Sequence, residues 1–286
     1  MKILSFFKQG LKTTNKRWKM VIYLWLINFI FSILMITPFY FLLRQEFSHS
    51  LMGDRVYHGF DLLWFGDLAF KYKSFYTPLL GWLLVPGLFY LLFFVFLNGG
   101  ILGRIAASEE ELSFKNFLAD CSQYFFRFFR VFLLSIVGYL LVLVLLFRVI
   151  SAFFSLWTKN APSEWPLIYA SNFKFLIAIL LFSIVRMFFD YVRVRLVVEG
   201  SKKTIRATIL NFSFLGRRFF RAWALYLLVG VVVVILGLVY LGLWRFFPQA
   251  GVFLIGFFII QQLYLLSRMW TRLLFFSTEY HFFKTD

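Results

Sequence analysis

The sequence predicts an all-α membrane protein with six transmembrane helices and three interfacial amphipathic elbow helices. Three observations predict this fold class: the composition, six long apolar runs and the uneven placement of basic residues. Of the 286 residues, 62% are hydrophobic and 15% are charged, and the mean hydropathy is +0.81. A chain with 43 Phe could not cover its apolar surface with polar groups in water. The composition therefore excludes an ordinary soluble enzyme.

Six apolar runs predict the spans, because about 20 helical residues cross the roughly 30 Å of bilayer hydrocarbon. Four runs contain no charged residue, whereas the third contains Arg148 and the fourth contains Lys174, Arg186 and Asp190. We expect a single integral membrane domain over residues 1–286. The predicted spans are residues 20–43, 76–102, 131–157, 167–192, 222–244 and 248–267.

The basic residues predict the orientation. Most of the 30 Lys and Arg lie at the two termini, between the second and third spans, and between the fourth and fifth spans. Because cytoplasmic loops carry the excess of Lys and Arg, we expect both termini to be cytoplasmic. The net charge of +17 would indicate nucleic-acid binding in a soluble protein. Here we expect it to meet anionic lipid headgroups, with no nucleic-acid partner.

Three amphipathic segments precede pairs of spans. In residues 112–130, apolar side chains recur every three or four positions, as in a helix with one apolar face. Ser108 followed by Glu109 to Glu111 has the form of a helix N-cap with acidic residues in the first turn. At the N-terminus, Ile3, Leu4, Phe7 and Leu11 form a similar stripe among lysines. These segments predict elbow helices that lie in the headgroup plane.

The second and third segments are related by an offset of 91 residues, which aligns Arg104, Ser113 and Lys115 with Arg195, Thr204 and Arg206. The pattern predicts three approximate repeat units: residues 1–102, 103–192 and 193–286. The elbows are either simple anchors or a basic collar that binds lipid or a protein partner. The candidate lipid- or partner-binding residues are Lys115, Arg127, Arg130, Arg193, Arg195, Arg206, Arg217, Arg218 and Arg221.

Two short motifs follow spans and lead into basic elbows: Asn-Gly-Gly-Ile-Leu-Gly at residues 98–103 and Asp-Tyr-Val-Arg-Val-Arg at residues 190–195. With them, the chain resembles a loosely defined group of bacterial six-span inner-membrane proteins of unknown function. That group includes the membrane domain fused to some glycerophosphodiester phosphodiesterases. The resemblance covers nearly the whole chain and implies the six-span topology. The sequence contains no phosphodiesterase domain, so we do not expect that activity.

Polar residues and glycines within the spans predict contacts between helices. Arg186 and Asp190 are one helical turn apart, which favours a structural ion pair over a proton relay. Asn28, Gln261 and Gln262 favour interhelical hydrogen bonds over a polar path through the membrane. Small residues let helices approach closely. The glycines predicted to serve this packing are Gly99, Gly103, Gly230 and Gly237.

A metal or catalytic centre has little support in the sequence. The outer loop, residues 44–75, is the only segment rich in possible ligands, and their spacing matches no recognised zinc motif. We therefore expect a solvated loop, no metal, no cofactor and no enzymatic activity. Cys121 is the only cysteine, so no disulfide within the chain is possible. The possible ligands in the outer loop are His49, Asp54, His58, Asp61 and Asp67.

These observations predict a non-enzymatic inner-membrane subunit that anchors or scaffolds a bacterial envelope complex and organises anionic lipid. The expected partners are anionic membrane lipids and other membrane or envelope proteins. The alternative is a transporter or conduit for lipids or other hydrophobic anions. It is motivated by three arginines beside a bundle that is expected to be kinked: Arg186, Arg193 and Arg195. An enzyme acting on lipid headgroups is a third possibility, with His49, Asp54 and His58 as its external candidates.

Overall fold

The computed structural model describes residues 2–47, 66, 70, 76–107, 113–159, 163–246 and 253–285. Within these ranges the chain forms seven helices and no strand, and α2 to α7 are long and apolar enough to span a membrane. The predicted all-α class and the six spans are confirmed. In chain order the helices are α1 (Lys2–Lys16), α2 (Trp18–Phe47), α3 (Tyr76–Ala106), α4 (Phe114–Thr158), α5 (Trp165–Val198), α6 (Thr204–Phe246) and α7 (Phe253–Thr285).

The amphipathic segments differ in one respect from the prediction. Only the first forms a separate helix, α1, whereas the other two are the N-terminal parts of α4 and α6. Neither Pro nor a capping motif separates these segments from the spans that follow, so the backbone hydrogen bonds continue without a break. The 43 residues of α6 extend over roughly 65 Å, about twice the thickness of the hydrocarbon. The length of α6 therefore exceeds what one crossing of the hydrocarbon needs.

A π-helical turn, Leu145–Ile150, interrupts the regular α-helix within α4. It contains Arg148, the residue at which the sequence interrupts the third apolar run. The helix continues on both sides, from Phe114 to Val144 and from Ser151 to Thr158. Arg148 therefore does not end this span.

The chain divides into two compact units, of which the smaller is residues 23–94. In this unit α2 and the first part of α3 contact each other through aromatic side chains. The Phe31 ring lies 5.3 Å from the rings of Tyr90 and Phe93. Tyr90 also donates a hydrogen bond to the amide oxygen of Asn28. Asn28 thus makes the interhelical hydrogen bond that the sequence predicts.

The larger unit comprises residues 1–22 and 95–286. Its buried side chains concentrate at one end of the helices, and among the largest are Phe117, Phe128, Tyr191 and Phe282. The rest of each helix exposes apolar side chains: Phe147, for example, is 73% exposed. Exposed apolar side chains of this kind suit a lipid environment. The packed core therefore lies at the helix ends that the sequence predicts on the cytoplasmic side.

Helix α1 packs along the C-terminal half of α7. The ring of Phe6 meets the ring of Phe282 edge to face, with centroids 5.4 Å apart. Thr14 donates a hydrogen bond to Ser277 over 3.3 Å. A Cβ atom at Gly10 would lie only 3.0 Å from the backbone nitrogen of Thr278. Ile3, Phe7 and Leu11 of the predicted apolar stripe are partly buried against the cluster that contains Phe6, whereas Leu4 is exposed.

Glycines also allow α3 to approach α4 closely. A Cβ atom at Gly99 would lie 3.1 Å from the Cβ atom of Tyr124, and one at Gly103 would lie 2.8 Å from that of Asp120. These close approaches agree with the packing role that the sequence predicts for the two glycines. At Gly230, by contrast, a Cβ atom would meet nothing within 4 Å. At Gly237 it would meet only the hydroxyl of Tyr264, at 3.8 Å. Among the described residues, neighbouring helices therefore stay farther from this second pair than from Gly99 and Gly103.

Gly100 makes the closest approach of α3 to α4, and we expect Gly100→Val to lower the free energy of unfolding by about 2 kcal/mol. A Cβ atom there would contact the thiol of Cys121 and lie 2.7 Å from the ring of Phe117. Both residues are fully buried and cannot move aside easily. Unfolding in mixed detergent micelles, followed by circular dichroism, measures the change.

Gly230→Ala is the matched control for Gly100→Val, because it also lies within a helix but has open space around it. Alanine favours a helix over glycine by about 1 kcal/mol, so the control should be neutral or slightly stabilising. Equal effects of the two substitutions would contradict the close packing at Gly100.

Candidate functional site

The N-terminal half of α6 carries a groove of about 600 Å³ on its surface, which we call the arginine groove. Arg217, Arg218 and Arg221 line it from α6, and Arg195 lines it from the end of α5. Phe214 lies between two of these cations, with the guanidinium of Arg195 5.6 Å and that of Arg218 4.9 Å from its ring centroid. Stacking on an aromatic ring restricts where a guanidinium points. The arginine groove therefore holds two of its cations in place.

A second groove, of about 690 Å³, adjoins the first and shares Leu210 with it. We call it the helix-start groove, because it surrounds the first turn of α6. It has four basic side chains and a largely apolar wall. Its lining residues are Arg130, Lys202, Lys203, Thr204, Ile205, Arg206, Ile209 and Leu210.

Six of the nine predicted lipid- or partner-binding residues line these two grooves: Arg130, Arg195, Arg206, Arg217, Arg218 and Arg221. Of the other three, Lys115 is exposed on α4. Arg127 donates to the carbonyl oxygen of Gly200 over 3.4 Å. The sequence analysis missed Lys202 and Lys203 as site residues, although two adjacent lysines between the fourth and fifth predicted spans were a signal.

Arg193, the remaining candidate, does not belong to this surface. It forms an ion pair with Asp190, whose side chain is only 6% exposed. The side chain of Arg186 lies on the other side of Asp190, with Nε 3.9 Å from a carboxylate oxygen. The acid is thus held between two cations of its own helix. This geometry agrees with the structural pair that the sequence favours, and adds Arg193 to it.

Glu279, on α7, is a second buried acid near this pair. It is 1% exposed, and within the described part of the chain neither of its carboxylate oxygens has a hydrogen-bond partner. Its charged neighbours are Asp190, Arg186 and Arg193. Sequence reasoning missed Glu279, because it lies beyond the last predicted span and its burial depends on packing between helices.

Three further polar contacts join the ends of the helices. Arg272 on α7 donates a 2.6 Å hydrogen bond to the side-chain oxygen of Asn98 on α3. Arg104 on α3 forms an ion pair with Asp120 on α4. Arg17, just before α2, donates to the carbonyl oxygen of Ala107 over 3.1 Å. Burial and the neighbouring Arg104 cation lower the pKa of Arg17.

The other polar candidates do not meet at this surface. Gln261 and Gln262 lie half-buried on α7, and neither groove includes them. The possible metal ligands of the outer loop, His49, Asp54, His58, Asp61 and Asp67, lie outside the described residues. Among the described residues, no cluster of His, Cys, Asp or Glu could hold a metal ion.

The two grooves can therefore bind anions. Guanidinium groups bind phosphate and carboxylate through paired hydrogen bonds, and lysines add point charges. Among the described residues that line the grooves, none is acidic. Comparisons with known protein families, with curated proteins and with solved structures find no match to this chain.

Proposed function

We propose that the protein is a non-enzymatic inner-membrane subunit that gathers anionic lipid around the basic start of α6 and anchors an envelope complex there. The observation that carries the proposal is the pair of adjoining grooves, each lined by four basic side chains. One of these cations, Arg195, donates a hydrogen bond to Glu199 over 3.0 Å. No acidic residue is among the described residues that line the two grooves, so their lining carries a net positive charge.

The position of the arginine groove relative to the predicted spans supports lipid as that ligand. Its last arginine, Arg221, directly precedes the predicted span that begins at Ala222. Trp223, next in the chain, is the residue type that concentrates at membrane interfaces. Basic residues next to a span attract anionic headgroups by about 1 kcal/mol each. We therefore assign the arginine groove to the headgroup region, with both termini on the cytoplasmic side.

Substituting Arg217, Arg218 and Arg221 together by glutamine is expected to weaken the binding of phosphatidylglycerol about 100-fold, because three headgroup contacts are lost. Glutamine keeps most of the side-chain length and removes the charge. Native mass spectrometry of the full chain, titrated with phosphatidylglycerol in detergent, gives the affinity. Phosphatidylcholine serves as the zwitterionic reference lipid.

The matched control replaces Arg148, Lys159 and Arg245 by glutamine. These three are also exposed, lie at the opposite ends of their spans and line neither groove. We expect the control to bind phosphatidylglycerol within a factor of about 2 of the unmodified protein, since exposed cations far from the ligand contribute little. An equal loss in both variants, or in neither, would refute the proposed function.

A further inference from the structure

The start of α6 has an unusual distribution of charge. Lys202 and Lys203 precede the helix directly, Arg206 lies in its first turn, and that turn contains no acidic residue. The N-terminal end of a helix is the positive end of its dipole, so cations there are unfavourable unless an anion neutralises them. This end of α6 therefore lacks the negative charge that helix starts usually carry.

The sequence repeat provides an internal comparison. The offset of 91 residues places Ser113 opposite Thr204 and Glu111 opposite Lys202. In the sequence before α4, Glu109 to Glu111 supply the negative charge that suits a helix start. The corresponding positions before α6 have glycine, serine and lysine instead. One copy carries its own anionic groups, and the other has positive charge where an anion would bind.

The turn that leads into α6 is well fixed by hydrogen bonds. Gly200, at φ +61°, adopts the left-handed conformation that ends α5. The Gly200 backbone nitrogen donates to Val197 over 3.3 Å, and that of Lys203 donates to the hydroxyl of Ser201 over 3.2 Å. The bond from Ala207 N to Lys203 O, 3.1 Å long, is the first of the helix ladder. The N–H groups before Ala207 have no acceptor within the helix.

Thr204 gives an independent indication of a ligand. It lines the helix-start groove and is 3% exposed, and within the described residues its hydroxyl has no hydrogen-bond partner. A buried hydroxyl without a partner is uncommon and costs free energy. A phosphate oxygen at the first turn would accept a hydrogen bond from this hydroxyl and from the N–H groups beside it.

The apolar wall of the same groove indicates what carries the phosphate. Ile205 and Ile209 are 69% and 64% exposed, one turn apart on the same helix face. Arg130, which also lines the groove, directly precedes the predicted span that begins at Val131. This position places the groove within reach of lipid headgroups. The two isoleucines are then suited to contact with an acyl chain.

From these observations we infer that the helix-start groove binds a phosphate group at the N-terminus of α6, through the first-turn N–H groups, Thr204, Lys202, Lys203 and Arg206. The apolar wall favours a phosphate carried by a membrane lipid over a soluble one. This inference rests on the proposed function, because it names the ligand chemistry of one of the two grooves.

The test uses the full chain in phosphatidylcholine nanodiscs and two phosphate probes: phosphatidate within the bilayer and inorganic phosphate in solution. The melting temperature at increasing probe concentration gives the apparent affinity. The variant is Thr204→Val with Lys203→Gln, which removes one hydroxyl and one charge. We expect it to weaken phosphatidate binding at least about tenfold, since both lost contacts are to a charged group.

The matched control is Ser113→Ala with Lys159→Gln, because Ser113 is the repeat equivalent of Thr204 and Lys159 is an exposed lysine that lines neither groove. It should leave the phosphatidate affinity unchanged. A second outcome is that inorganic phosphate raises the melting temperature as much as phosphatidate does, and that the rise requires Thr204 and Lys203. That result would support the phosphate site and identify a soluble phosphate as its ligand.

Failure of this inference is distinct from failure of the proposed function. If neither probe raises the melting temperature, or if the Thr204 and Lys203 variant binds phosphatidate as the unmodified protein does, the inference is overturned. The melting temperature of each variant without a probe shows whether the fold is intact. The arginine-groove variant tests lipid binding independently, because it leaves the helix-start groove unchanged.

Discussion

Asp190→Asn is expected to lower the free energy of unfolding of the larger unit by about 3–4 kcal/mol, because it leaves a buried cation without its counter-charge. The side chains of Asp190 and Arg193 are 6% and 14% exposed, and they form an ion pair. Asparagine keeps the shape of the side chain and removes the charge. Reversible unfolding in mixed detergent micelles, followed by circular dichroism, measures the loss.

A second variant separates the ion pair from packing effects. Replacing Asp190 by asparagine and Arg193 by methionine together removes both charges, so most of the stability should return. If Asp190→Asn changes the stability by less than about 1 kcal/mol, the pair does not hold the end of α5 as its geometry indicates.

Glu279→Gln provides a contrast within the same region. Glu279 is as buried as Asp190, but its carboxylate accepts no hydrogen bond from the described residues. A buried carboxyl without such bonds favours its neutral form, and glutamine has nearly the same shape. We therefore expect Glu279→Gln to change the stability by less than about 1 kcal/mol, in either direction.

Phe6→Ala should destabilise the larger unit by about 3–4 kcal/mol, since it removes a buried ring and leaves a cavity. Phe6 is 5% exposed and belongs to a cluster with Tyr191 of α5, Leu225 of α6 and Leu274 of α7. The loss arises only if α1 is part of the core. A helix that merely rests on lipid would lose membrane affinity instead. The same unfolding measurement in detergent distinguishes the two.

Leu4→Ala is the control for Phe6→Ala, because Leu4 lies on the same helix and is 58% exposed. A substitution at an exposed site is expected to change the stability by less than about 0.5 kcal/mol. If both variants lose the same stability, the contact of α1 with the other helices is not specific to Phe6. If neither loses any, α1 does not contribute to the core.

Much of the helical framework was predictable, because lipid imposes a strong local constraint. A span needs about 20 consecutive apolar residues whatever its neighbours are. The runs over residues 20–43 and 222–244 therefore identified two of the helices without reference to the rest of the fold. The exact helix starts were not predicted, because the capping pattern indicates Ser108, whereas α4 begins at Phe114 and α6 at Thr204. The continuity of α6 through Arg221 was not predicted either, because an amphipathic pattern looks the same whether or not the helix bends.

The candidate site was predictable only in part. Clusters of arginine before a span indicated Arg217, Arg218 and Arg221, because their spacing along one helix is local information. Arg193 has the same local pattern but pairs with Asp190 instead of lining a groove. Lys202 and Lys203 matter because they lie at the N-terminal end of α6. The helix dipole makes positive charge unfavourable there unless an anion binds.

By itself, the sequence determined that this chain is helical, that it has six helices able to span a membrane, and that its basic residues gather next to particular helices. These properties depend on residues close together in the chain. Only the tertiary structure decided that α1 packs against α7 and that two grooves adjoin at Leu210. It also brings Arg272 to Asn98, 174 positions away in the sequence. Such contacts depend on how helices approach one another, and the approach is set by small differences in packing that no local pattern records.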